Sequence, residues 1–191
     1  ISIIPDMIEA GTFLFAGATL GKITLTKVDP NHLSIVLDKL SQAGCHLSST
    51  EDSITIDQCD VIKPVDMSTD VYPGFPTDLQ AQWIALMSIS NGASVITDTI
   101  YHDRFAHVPE LNRLGADITT ENNSAFVTGV KGLKGAQVMS TDIRASASLV
   151  IAGLIAEGRT DISRVYHIDR GYERIEEKFQ SLGAKIFRDN E

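Results

Sequence analysis

The sequence predicts an α/β domain assembled from three copies of one βαβαββ unit, and two observations carry that prediction. Three helix starts share a pattern, Asp6-Met-Ile-Glu-Ala-Gly, Asp78-Leu-Gln-Ala-Gln-Trp and Asp142-Ile-Arg-Ala-Ser-Ala, and each opens an apolar run that stops toward Gly21, Gly92 or Gly158. Each copy then leaves its second helix through a small-residue exit: Ala43-Gly44-Cys45, Leu114-Gly115-Ala116 and Leu182-Gly183-Ala184. Repetition at this length marks stacked supersecondary units, each of which needs its neighbours to bury its apolar face. The approximate repeats are 1–63, 64–131 and 132–191, merged into a single domain. Residues that break the repeat are therefore the candidates for function.

In the first copy Asp6 precedes Met7-Ile8-Glu9, a D-x-x-E arrangement in which the carboxylate accepts from the free amides of the first turn and Glu9 reaches back. Gly21 is expected to supply the left-handed position after the helix, and Lys22 to Val28 alternates polar with apolar as a half-buried strand does. Pro30 starts a second helix with Leu33, Val36, Leu37 and Leu40 on one face. Cys45 to Ser49 and Ser53 to Ile56 form a hairpin. In the second copy Thr77-Asp78-Leu79-Gln80 reads as a T-x-x-Q cap before Ala81 to Ser90, followed by a strand from Ser94 to Thr99, a helix including Pro109 to Leu114, and a hairpin from Ile118 to Val127 turning at Asn122-Asn123. In the third, Asp142 caps Ile143 to Ala156, Thr160 to Val165 is a strand and Tyr172 to Leu182 a helix. Ala184 to Phe187 then opens a hairpin whose second strand is missing. Together with the extended Ile-Ser-Ile-Ile at the start, this reads as a piece of a longer protein.

The 191 residues are 43% hydrophobic, enough for a substantial core, and carry a net charge of −9. An acidic balance argues against a general nucleic-acid or anionic-membrane binder, because phosphate contacts are made largely by Lys and Arg. The longest apolar stretch, Leu149 to Ala156, is far too short to span a bilayer. Two cysteines, Cys45 and Cys59, are too few for a disulfide scaffold and are expected as buried free thiols in a reduced, cytoplasmic setting. The five histidines are scattered and no CxxC exists, so no metal site is marked. No cofactor is expected either.

The segment Asp70-Val71-Tyr72-Pro73-Gly74-Phe75-Pro76-Thr77-Asp78 departs from plain repetition. Its prolines and glycine stiffen a loop that delivers Asp78 to a helix start. Tyr72 to Gln82, Asp103-Arg104-Phe105 with His107 to Leu111, Thr141 to Leu149, and Tyr166-His167-Ile168-Asp169-Arg170-Gly171-Tyr172-Glu173 closely resemble the UDP-N-acetylglucosamine 1-carboxyvinyltransferase family of enolpyruvyl transferases. The resemblance covers essentially the whole chain. It implies an inside-out α/β barrel of three βαβαββ units around a helical centre, here the C-terminal portion of a two-domain enzyme. The substrates it implies are UDP-N-acetylglucosamine and phosphoenolpyruvate, bound between this domain and a missing N-terminal domain. That other domain would carry the family's reactive loop cysteine and a phosphoenolpyruvate-binding lysine, and neither Cys45 nor Cys59 matches the former. The implied pathway is peptidoglycan precursor synthesis.

Each candidate residue has a plainer reading beside the one the resemblance implies. A carboxylate in the first helical turn is favoured by the macrodipole by about 0.3–1 kcal/mol, so Asp78 stabilises its helix or, by resemblance, contacts the sugar 3′-hydroxyl as general base. An arginine near a helix start opposes the dipole, so Arg144 and Arg170 point to anion binding or to ion pairs with Asp142 or Asp169. The resemblance puts Arg170 on phosphoenolpyruvate and Asp142 and Arg144 at the cleft. Ile100 would offer a backbone contact to the nucleotide sugar, and Arg104 is either a further contact or an ion pair. Trp83 is expected in the core, and His107 and His167 as hydrogen-bonded structural residues. A sibling transferase acting on a shikimate-type acceptor and a non-catalytic RNA-binding module of related fold are the alternatives.

Overall fold

The structure, a computed structural model, describes residues 3–189. The first copy runs α1 (Met7–Leu20), β1 (Ile23–Thr26), a 3-10 turn at Pro30–Leu33, α2 (Ser34–Gln42), β2 (Leu47–Ser49) and β3 (Ser53–Ile56). The second is the full βαβαββ unit: β4 (Met67–Ser68), a 3-10 turn at Thr77–Leu79, α3 (Gln80–Met87), β5 (Ala93–Thr97), α4 (Val108–Arg113), β6 (Asp117–Glu121) and β7 (Ser124–Thr128). The third comprises β8 (Gln137–Met139), α5 (Ile143–Ile155), β9 (Asp161–Ser163), a 3-10 turn at Val165–Arg170 and α6 (Ile175–Ser181).

Helices α1, α3 and α5 form the centre. Ala10 to Ala18, Gln80 to Met87 and Ala145 to Ala152 are buried without a break. A helix buried all round belongs inside a core, not on a surface with one apolar stripe. Their small residues allow close approach: a Cβ on Gly11 of α1 would collide with the Leu79 side chain, at the entry to α3. Trp83 fills the middle, edge-on to Phe15 and Phe75 at centroid distances of 5.5 and 5.7 Å, each such pair adding about 0.5–1.5 kcal/mol beyond burial. One polar residue from each copy meets there too. Thr12 of α1 gives its proton to the Ile8 carbonyl at 2.9 Å, so the Tyr172 hydroxyl, 2.8 Å away, must donate to Thr12 Oγ1. Gln82 Nε2 of α3 reaches the same two oxygens at 3.2 and 3.4 Å.

The sheets stand outside these helices. The first has order β1-β3-β2, all antiparallel, with Leu25 opposite Ile54. The second has order β4-β5-β7-β6, with only β4 parallel to its neighbour. The third is the parallel pair β8-β9. Alternate residues of β3 and β7, Ile54, Ile56, Ala125 and Val127, face the core, as period-two patterning requires. The arrangement is inside-out as expected, but no ladder joins the three sheets among the described residues, so they stand as separate panels and not as a closed barrel. The exit glycines Gly44, Gly115 and Gly183 share φ values of 95, 91 and 93°, one glycine-demanding turn used three times.

Several local expectations are corrected. Ala184 to Phe187 form no strand, since a strand needs a partner for its backbone groups and none is present among the described residues. Ile3 and Ile4 are likewise not in a strand, and Ile1 and Ser2 lie outside the described residues. Gly21 has φ 151° and ψ 172°, not the left-handed helical values. Asp6 does cap α1, accepting from the Ile8 and Glu9 amides at 2.8 and 3.0 Å, but Glu9 turns away to Lys178 instead of closing the capping box. Cys45 and Cys59 are not free thiols: they form a disulfide, with Cα atoms 5.0 Å apart. The hairpin explains the meeting, because its ladder continues past Leu47 and Ile56 through the Asp57 amide to the His46 carbonyl at 3.0 Å, bringing the flanking cysteines side by side.

Candidate active site

The start of α3 is built by the stiff loop that precedes it. The Asp70 amide bonds the Phe75 carbonyl at 2.9 Å and the Gly74 amide bonds the Val71 carbonyl at 2.7 Å, closing the loop on itself while buried Phe75 anchors it against Trp83. Thr77 and Asp78 therefore emerge at a fixed point in the 3-10 turn. The predicted T-x-x-Q cap is absent. Thr77 does not cap α3; its hydroxyl donates instead to Asp98 Oδ2 at 2.6 Å.

Two arginines from other segments converge on Asp78. Arg144 Nε, from the first turn of α5, donates to Asp78 Oδ1 at 2.6 Å, and Arg104 Nη1, from the loop after β5, donates to the same oxygen at 3.1 Å. Arg104 Nη1 also donates to Thr77 Oγ1 at 2.8 Å, and its guanidinium lies 4.0 Å over the Tyr101 ring. The other oxygen, Oδ2, accepts no hydrogen bond among the described residues. The Asp78 side chain remains 39% exposed, so that oxygen is within reach of a ligand. Asp142 is the cap of α5, its Oδ1 accepting from the Arg144 and Ala145 amides at 2.8 and 3.0 Å. It thus fixes the Arg144 backbone while the guanidinium goes to Asp78, so the Arg144 side chain pairs with neither Asp142 nor Asp169.

Arg170 ends the 3-10 turn before α6 and is exposed. Among the described residues it makes no ion pair. Asp169 is taken instead by Arg188, at 2.6 and 2.8 Å, and that guanidinium holds the Asp169 carboxyl below its ordinary range against the opposing effect of burial. Gly171, next in sequence, packs on Ile143: a Cβ there would lie 3.2 Å from Ile143 Cγ2. Arg170 is therefore placed beside the start of α5, next to the Asp142 and Arg144 turn. Ile100 sits on the exposed turn after β5, with its amide donating to Asp98 Oδ1 at 2.9 Å.

His107 and His167 correct another expectation, since Nε2 of each is buried without a hydrogen-bond partner among the described residues. Burial pushes the His107 pKa down to about 4, only partly opposed by the charge of Asp142. A desolvated imidazole stays neutral because nothing repays the lost hydration of the cation.

Asp98 is the residue sequence reasoning missed. It is fully buried and accepts four hydrogen bonds. The signal was present: Asp98 directly follows β5 and continues the alternation that buries Ser94 and Ile96, and a carboxylate so buried must find donors. Two clefts, of about 420 and 710 Å³, lie in the first copy, beside Cys45 and beside Pro5. Neither includes the Asp78 cluster, whose side chains are partly exposed to solvent.

Three buried helices in a ring of βαβ panels, with charged residues gathered where two of those helices begin, define the domain type of the enolpyruvyl transferases. A family model described as EPSP synthase (3-phosphoshikimate 1-carboxyvinyltransferase) matches residues 1–179, and the chain belongs to that family. Within it, the chain is 58% identical over 184 residues to the UDP-N-acetylglucosamine 1-carboxyvinyltransferase of Chloroherpeton thalassium and 57% identical over 189 residues to that of Desulfosudis oleivorans. These alignments cover 96% and 98% of this chain but 43% and 45% of the relatives, so the chain spans less than half their length. Among solved structures, the enolpyruvyl transferase NikO from Streptomyces tendae superposes with a TM-score of 0.88 at 28% identity, over 97% of this chain and 44% of that one. EPSP synthase from Acinetobacter baumannii superposes at 0.75 with 17% identity, over 99% of this chain and 45% of that one, a likeness of fold.

Proposed function

We propose that the longer protein to which this chain corresponds transfers the enolpyruvyl group of phosphoenolpyruvate to the 3′-hydroxyl of UDP-N-acetylglucosamine, releasing phosphate at the start of peptidoglycan precursor synthesis. The observation that carries the chemistry is the Asp78 carboxylate, whose Oδ1 is held by two guanidiniums while Oδ2 is left open to accept a proton. A general base needs a free lone pair within hydrogen-bond reach of the proton it takes. Asp78 then receives the hydroxyl proton as the sugar oxygen attacks the enol carbon, and Arg170 balances the carboxylate or phosphate charge of phosphoenolpyruvate. Arg144 and Arg104 aim the base, Asp142 holds Arg144 through its cap, and the Ile100 backbone borders the sugar. This chemistry asks for positioned charges and proton transfer, with no redox step. The partly exposed Asp78 cluster fits a second wall contributed by the rest of the protein, an N-terminal domain with its reactive cysteine and lysine. A cytoplasmic setting and a part in cell-wall growth and division follow from the activity. The similarity to nucleotide-sugar transferases, 57–58% against 17% for the EPSP synthase structure, favours this acceptor over a shikimate-type one. The net charge of −9 disfavours an RNA-binding module.

The test is direct. The full-length protein, given UDP-N-acetylglucosamine and phosphoenolpyruvate, should release phosphate and enolpyruvyl sugar nucleotide in equal amounts, whereas the 191-residue chain alone should release neither. Turnover with 3-phosphoshikimate in place of the sugar nucleotide would overturn the acceptor assignment.

A further inference from the structure

We propose that Asp98 is the positioning residue of this site: its buried carboxylate sets where Arg104 stands, and through Arg104 how the Asp78 base is aimed. The inference rests on the functional reading above. Asp98 is wholly inaccessible, so it touches no substrate. Its backbone is clamped by the β6–β7 turn, with the Asp98 amide bonded to the Asn123 carbonyl at 2.8 Å and Asn123 Nδ2 bonded to the Asp98 carbonyl at 3.1 Å. Oδ1 accepts from Thr69 Oγ1 and from the Ile100 and Tyr101 amides, each at 2.9 Å. Oδ2 accepts from Thr77 Oγ1 at 2.6 Å.

The direction of the chain follows from donor inventory. An ionised carboxylate only accepts, so the single Thr77 proton is spent on Asp98, and the Thr77 lone pairs face Arg104 Nη1 at 2.8 Å. Arg104 therefore rests on two supports, the Thr77 hydroxyl and the Tyr101 ring 4.0 Å beneath its guanidinium. Asp98 holds both, one through each oxygen. With Arg104 so fixed, its second contact falls on Asp78 Oδ1 beside Arg144, and Oδ2 stays open. Asp98 Oδ1 also braces the Ile100 turn proposed to border the sugar, so one buried charge orients both the base and the acceptor site.

Two substitutions in the full-length protein test this. Asp98→Asn keeps an oxygen for the Ile100 and Tyr101 amides but turns a donor toward Thr77, which must then swing its own proton elsewhere. Thr77→Val keeps the shape and removes the relay from its other end. Each should lower kcat by about 10- to 10²-fold, the upper figure being the scale of a misplacement of about 1 Å, with the KM for phosphoenolpyruvate unchanged. The double variant should be no slower than the slower single, because both break one chain. Retained kcat per folded molecule in either variant overturns the inference, whatever happens to melting temperature, and so do losses that multiply in the double. If Asp98→Asn fails to fold, Thr77→Val alone decides. Failure of the unsubstituted protein to make product overturns the functional reading and the inference with it, whereas normal turnover with indifferent variants removes only the inference.

Discussion

Two polar networks tie separate copies of the repeat together, and they do so to opposite ends. Thr12, Gln82 and Tyr172 meet at the centre of the helices, one from each copy, all buried and all neutral. Asp78, Arg104 and Arg144, backed by Thr77 and Asp98, join copies two and three where α3 and α5 begin. The central network is closed by the Tyr172 hydroxyl and the Gln82 amide, with the Thr12 proton on the Ile8 carbonyl, and it fixes how the copies register. The edge network gathers charge, keeps one carboxylate oxygen unused and faces solvent. Networks sealed from water specify packing, and those with a free lone pair at the surface are available for chemistry.

Asp78→Asn is the sharpest way to break this distinction and carries the largest expected effect. In the full-length protein it preserves shape but removes the proposed base, so kcat should fall by roughly 10²-fold or more, the scale of lost general-base catalysis, with melting temperature nearly unmoved. A drop in stability with the rate per folded molecule retained would return Asp78 to the role of a helix-end charge.

His107 probes the ground behind the edge network, beside Asp142. Its pKa falls from 6.5 to about 4 on folding, so between those values the unfolded chain binds the extra proton. Stability is therefore complete above pH 6.5, declines as pH falls through the window and levels off near pH 4. The loss by pH 5 should be on the order of 2 kcal/mol. The Asp169 carboxyl, also depressed, acts in the same direction but only below its ordinary value of 3.8. Urea unfolding of the 191-residue chain at pH 7 and pH 5 should show the slope, and His107→Gln should flatten it. An unchanged slope in that variant would place the titrating group elsewhere.

What could be read from sequence divides along the same line as the networks. The Asp6 and Asp142 caps, the Asn122 turn and buried Trp83 follow from short-range chemistry, and the structure places them as read. Thr77 defeated local reading because its hydroxyl has two outlets, the helix amides three residues on and a carboxylate twenty-one residues on; only the fold decides between them. The Cys45–Cys59 disulfide was missed because counting cysteines ignores hairpin register. A pair between Arg170 and Asp169 is the local alternative, whereas Arg188 reaches that carboxylate from the C-terminal segment, a contact no motif announces. Asp98 was legible only from alternation along β5, a weaker cue than any motif.

Tyr172→Phe completes the comparison from the central side, with the smallest expected effect. The substitution removes the hydroxyl with its two hydrogen bonds, the one it donates to Thr12 and the longer one it accepts from Gln82 Nε2 at 3.4 Å, while Thr12 still donates to the Ile8 carbonyl and Gln82 Nε2 still donates to Thr12. The cost should be about 1–2 kcal/mol, the net value of those bonds. Burial raises the Tyr172 pKa, with its hydrogen bonds to Thr12 and Gln82 opposing, so the phenol stays protonated at working pH and the cost should not vary between pH 6 and 8. In the full-length protein kcat should be unaltered, because the centre fixes register that the remaining apolar packing also fixes. A fall in kcat larger than the loss of folded protein would mean that the two networks are coupled through α3, which carries Gln82 and begins directly after Asp78 and Leu79.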